Sequence, residues 1–113
     1  MLRTARIYDP PTPEDGHRLL VMRFWPRGVR KDAVDSWEKA LAPSAELLRG
    51  YRDGTVEWEE FARRYLDEIG EQQAALADLQ RLTKEGTVTL LCGCRDASRC
   101  HRTLLKDLVE GLP

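Results

Sequence analysis

Cysteine is absent from the first 91 residues of this 113-residue chain and from the last 13. All three cysteines fall in one stretch, "LLCGCRDASRCHR" (residues 90–102), with one of the two histidines. Long apolar runs are also missing. The longest, "LLVM" (19–22) and "TVTLLCGC" (87–94), are far short of the ~20 residues that span a bilayer. The first ten residues, "MLRTARIYDP", contain no hydrophobic signal core. The expectation is a cytoplasmic protein with no membrane attachment. Disulfides are rare in that compartment, so the cysteines are read as free thiols, ligands or catalytic groups. Internal repeats, low-complexity segments and linkers are absent as well.

What is present suits one soluble domain over residues 1–113: 42% hydrophobic and 33% charged side chains. Net charge is −1, but it is unevenly spread. Residues 1–31 hold seven basic and three acidic groups, residues 32–85 hold seven and thirteen, and residues 86–113 hold four and three. Basic ends flank an acidic middle. If the ends meet in space, they form a positive site on an acidic body. If they do not, the charges are a scattered surface.

The pattern predicts an α/β fold, a largely parallel sheet flanked by helices. Strands are expected at 3–8, 17–24 and 87–92. The run Leu19–Met22 is continuous rather than alternating, which suits burial on both faces. "DPPTPEDG" (9–16) is a loop. Ser44 can cap a helix through Tyr51. Trp58, Phe61, Tyr65, Leu66 and Ile69 share one helical stripe, and Ala75, Leu76, Leu79 and Leu82 form another. A last helix begins near 99 and carries Leu104, Leu105, Leu108, Val109 and Leu112 on one face. Trp37 and Trp58 read as helical core positions, and His17 as an exposed loop residue.

Ligands in such sheets bind beyond the carboxyl ends of the strands. The cysteine stretch occupies one such end and leads into a helix N-terminus, which lowers a thiol's pKa and attracts anions. Four readings are open. Cys92, Cys94, Cys100 and His101 are a donor set for zinc or iron, yet C-x-C with an adjacent C-H departs from the usual paired spacing. Adjacent helical residues also diverge by ~100°, which argues against Cys100 and His101 sharing an ion. A phosphatase-type loop fails on spacing, because the fifth-plus-one position after Cys94 is Cys100 and not arginine. A redox pair could join Cys94 and Cys100, without the C-x-x-C motif. Last, Cys92 is read as a buried core residue. Cys100 and His101, next to Arg99 and Arg102, are the catalytic candidates.

A second loop, "RFWPRGVRK" (23–31), sets Arg23, Arg27, Arg30 and Lys31 around Trp25. Arginines with a tryptophan suit a phosphate or carboxylate plus a stacking surface, as in a nucleotide or single-stranded nucleic acid. The alternative is that Trp25 packs on a helix and the arginines pair with the acidic middle.

"GHRLLVMRFWPRG", "WEKALAPSAELLRGY", "WEEFARRYLDEI" and "GTVTLLCGCRD" together resemble the YeaO-like proteins, domain of unknown function 488, over residues 3–112. The resemblance implies a compact α/β domain and supplies no reaction. It adds Pro26, Gly28, Pro43 and Ser44 to the arginines, Cys100, His101 and Arg102 as site candidates. Relatives commonly carry aspartate where this chain has Met22, and many lack the cysteines after the last strand. The expected site therefore has Arg23, Trp25, Arg27, Ser44, Cys94, Arg95 and Arg102 binding a small anionic ligand or nucleotide, with Cys100 and His101 as the reactive pair. A metal or thiol-redox centre, or a domain with no chemistry, stands as the alternative.

Overall fold

The computed structural model describes residues 1–112. Four strands, β1 (Leu2–Arg6), β2 (His17–Leu20), β3 (Ser36–Trp37) and β4 (Val88–Cys92), form one sheet in the order β1-β4-β2-β3. Every pairing is parallel. Four α-helices complete the chain: α1 (Ala45–Arg52), α2 (Trp58–Gly70), α3 (Gln73–Glu85) and α4 (His101–Glu110). The α/β fold and largely parallel sheet expected from the sequence are present.

β4 has neighbours on both sides, and all five of its residues are buried. That is why it reads as an uninterrupted apolar run. The alternation of side chains splits the sheet's two faces. Leu19, Val21, Val88 and Leu90 join Leu47, Phe61, Tyr65, Ile69, Leu79, Leu105 and Val109 in the main core, to which all four helices contribute. Leu20, Leu91 and Ile7 form a smaller cluster on the other face, covered by Met22, Trp25, Val29, Val34 and Trp37. Fully burying a leucine of this kind contributes roughly 1.5–3 kcal/mol. Leu19–Val21 thus serve two cores in turn, as the unbroken apolar run requires.

Several local expectations shift. β1 and β2 stop earlier than the sequence suggests, because the segments after them leave the sheet. Trp37 lies on β3, not on a helix. Its indole N–H donates to the Met22 carbonyl at 2.7 Å and its ring meets Trp25 edge-on at 5.3 Å. His17 opens β2 and is half-buried, with Nε2 2.7 Å from Ser36 Oγ. Leu66 is exposed despite its place on the α2 stripe. Ser44 does cap α1: its Oγ accepts from the Leu47 N–H at 3.2 Å.

The parallel register positions the loops. Arg6 pairs with Cys92, and Leu20 with Leu91. The chain therefore leaves β1, β2 and β4 at the same sheet edge. Tyr8, the Arg23 loop and the cysteine loop emerge together there.

Candidate functional site

At that edge lies a cleft of about 340 Å³. Cys92, Gly93, Cys94, Cys100 and His101 line it from β4 and the start of α4. Met22, Arg23 and Phe24 come from the loop after β2, Tyr8 from the end of β1, and Tyr51, Arg52 and Phe61 from α1 and α2. Arg99 closes the group. Three arginines and no carboxylate are among these lining residues.

The sulfur cluster is tight. One ligand atom from each of Cys92, Cys94, Cys100 and His101 lies within 4.8 Å of the others. Cys92 Sγ is 3.6 Å from Cys94 Sγ and 3.8 Å from His101 Nδ1. All three cysteines are free thiols. Cys100 and His101 converge although they are adjacent, against the expectation from helix geometry, and the reason is local. Cys100 is the N-cap of α4, with extended backbone (φ −138°, ψ 141°), so it is not yet helical. A two-residue step from the last residue of β4 and a cap-to-helix step into α4 aim all four side chains at one point.

His101 is buried. Its Nε2 is 2.6 Å from the Val21 carbonyl oxygen, which can only accept. Nε2 therefore carries the proton, and Nδ1 presents a lone pair to the thiols. Burial pushes the imidazolium form down, so the ring is held neutral. Hydrogen bonds from Cys100 first and then Cys94, with the Arg102 charge, pull the Cys92 thiol down. The Cys92 and Cys94 contacts and burial push Cys100 up in turn. Of the three thiols, Cys92 is the one these contacts favour in its ionised form. Cys100, 1% exposed, is the thiol least disposed to ionise alone.

Arg102 is the cluster's counter-charge. It is 4% exposed. Its Nη1 donates to the Cys94 carbonyl at 3.0 Å and to Cys100 Sγ at 3.2 Å, while Nε is buried without a partner. Among the described residues no carboxylate forms an ion pair with it.

The other expected residues divide. Arg23 reaches the cleft, its guanidinium fixed by Nε to the Pro43 carbonyl at 3.1 Å and Nη2 to the Ala42 carbonyl at 3.2 Å. Trp25 does not line the cleft. It covers the second core cluster, and its indole N–H donates to the Val29 carbonyl at 2.9 Å. Arg27 is exposed on the turn beyond, outside the cleft lining. There Gly28 has φ +78°, the value a type II turn needs at its third residue. Arg95 is exposed and also outside the lining. Ser44 faces away: its N–H and hydroxyl donate to the two Glu68 oxygens at 2.8 and 2.5 Å.

Tyr8, Phe24, Tyr51 and Arg52 line the cleft without having been singled out in the sequence. Phe24 is 58% exposed and Tyr8 48%, so these two rings, rather than Trp25, are the open aromatic faces of the cleft. One signal pointed to part of this set: Phe24 adjoins Arg23, whereas Tyr8 fell inside the strand expected at 3–8 and leaves the sheet only because β1 ends at Arg6. Nothing local marked the end of α1.

A parallel sheet with a thiol–imidazole cluster under an arginine-bearing cleft defines a small α/β protein with a ligand-sized site at its strand ends. The chain belongs to the DUF488 family: the "Active DUF488-N3 subclade" (DUF488-N3a) matches residues 2–111. An uncharacterised protein of Mycobacterium tuberculosis is 42% identical over 112 residues, covering 97% of this chain and 94% of the relative. A Mycobacterium bovis protein matches equally. The uncharacterised protein YeaO of Escherichia coli is 33% identical over 113 residues, 98% of each chain. No solved structure matches the chain.

Proposed function

We propose that the cleft binds a small phosphate-bearing ligand with an aromatic ring, of mononucleotide size. The observation that carries this reading is the lining: Arg23, Arg52 and Arg99, and no carboxylate, in a chain with 19 acidic residues. None of the three forms an ion pair among the described residues. Asp96 lies within electrostatic reach of Arg99, but its carboxylate accepts from the Ser98 N–H and hydroxyl. Unpaired guanidinium groups that converge on a concave site suit phosphate oxygens. Arg23 is already oriented by two carbonyls and keeps Nη1 for a ligand. Tyr8, Phe24, Tyr51 and Phe61 supply apolar walls, and ligand sites are commonly apolar with a few placed polar groups.

Calorimetric titration with AMP and with inorganic phosphate tests this. AMP should bind more tightly than phosphate, and the Arg52→Ala/Arg99→Ala double variant should lose roughly ten-fold or more in affinity, the scale of one lost charged hydrogen bond. Absence of binding by both probes, or an affinity untouched by the double substitution, overturns the reading.

A further inference from the structure

The cysteine cluster at the floor of the cleft has a geometry that anion binding does not require. We propose that Cys92, Cys94, Cys100 and His101 hold one zinc ion as a closed Cys3His site joining the end of β4 to the start of α4.

Three independent features support it. The first is spacing. Sulfur ligands about 2.3 Å from a tetrahedral zinc lie ~3.8 Å from each other. Here Cys92 Sγ is 3.6 Å from Cys94 Sγ and 3.8 Å from His101 Nδ1, with all four ligand atoms inside 4.8 Å. The second is the histidine. A ligating imidazole usually donates its other ring N–H to a carbonyl or carboxylate, which fixes the tautomer. The 2.6 Å contact from Nε2 to the Val21 carbonyl does this, leaving Nδ1 as the donor atom. The third is charge. Three thiolates and a zinc dication leave one negative charge. Arg102, buried and without a carboxylate, lies 3.2 Å from Cys100 Sγ and neutralises it.

Four protein donors fill a tetrahedral zinc, so the site is structural and leaves no position for water. Soft thiolates with one imidazole in this geometry favour zinc over the harder divalent ions. On binding, each thiol still protonated releases its proton to solvent as its sulfur–zinc bond forms, with no change of oxidation state.

The test uses the full chain, purified reduced in metal-free buffer. Expected are one zinc per chain by elemental analysis, proton release on adding zinc to the chelated protein, and a melting temperature that falls when zinc is removed. Cobalt should give thiolate-to-metal charge transfer and the intense ligand-field bands of a tetrahedral site. Cys94→Ser alters a half-buried residue outside β4, so its fold should survive, as circular dichroism can show. It should weaken zinc binding beyond the ~10–100-fold typical of losing an outer-shell partner. Arg102→Gln should fall within that range. A folded chain that neither contains nor takes up zinc overturns the proposal. So does unchanged affinity in Cys94→Ser, and iron at one per chain overturns the choice of metal.

Discussion

Asp15 and Arg18 form a buried ion pair outside the cleft lining. Burial alone would raise the Asp15 pKa. The Thr12 N–H and hydroxyl and the Arg18 guanidinium outweigh it and hold the carboxyl below its ordinary value. A carboxylate with a depressed folded-state pKa stabilises the fold above its unfolded value of ~3.9. That contribution is lost as pH falls through the folded value. Asp15→Asn should cost about 1–3 kcal/mol at neutral pH, because it weakens a charged hydrogen bond to a buried arginine. Arg18 Nη2 already lacks a partner, so little else can absorb the loss. Chemical denaturation at neutral pH and below pH ~4 checks this: the gap between variant and parent should narrow in acid. An equal gap at both pH values would mean the pair is not the source. Residue chemistry was partly legible in the sequence. His101 and the cysteines could be named as donors, but the Val21 carbonyl that sets the imidazole tautomer is 80 positions away.

Among the elements, the turn into β2 is the most constrained. Gly16 has φ +63°, and a Cβ there would lie 2.2 Å from the Thr87 carbonyl oxygen. His17 N–H donates to that same oxygen at 2.9 Å, so the two backbones cannot separate without breaking the entry to β2. Gly16→Ala should destabilise by at least the ~1–3 kcal/mol of a strained backbone, read as a shift in the denaturation midpoint with unchanged slope. Gly54, also at positive φ (+80°), has open space where a Cβ would stand and should tolerate alanine better. At the helices, Ser44→Ala removes both the α1 cap and the hydroxyl bond to Glu68, and should cost about 1 kcal/mol or somewhat more. The helical stripes and β4 were legible because each buries a single periodic face or a continuous run. β3 was not: two residues carry no period, and its tryptophan is held by contacts with a loop.

Across the whole molecule, parallel pairing gathers the cleft from segments dispersed along the chain. The sequence suggested that basic ends meet, and Arg23 and Arg99 do line one site. It also offered Arg23, Trp25 and Arg27 of the tryptophan–arginine loop to that site, with Trp25 packed elsewhere as the alternative. The loop divides. Met22 to Phe24 line the cleft, while Trp25 turns to cover Leu20 and Leu91 on the sheet face opposite the helices. Spacing alone could not reveal this division, since the second apolar face becomes visible only when the strands pair. If the three arginines supply the attraction, phosphate affinity should fall as salt rises from about 0.05 to 0.5 M, because the screening length of exposed charges shortens from ~14 Å to ~4 Å over that range. Affinity insensitive to salt would assign binding to the apolar walls instead.

Trp25 of the covering loop and Trp37 of β3 each tie the indole N–H to a carbonyl of that loop, at Val29 and Met22. Loosening Met22 to Val29 would move both rings toward water and red-shift their emission. A molecule built this way contains its own optical gauge: a ligand that tightens Arg23 and Phe24 should be seen in tryptophan fluorescence without any attached dye.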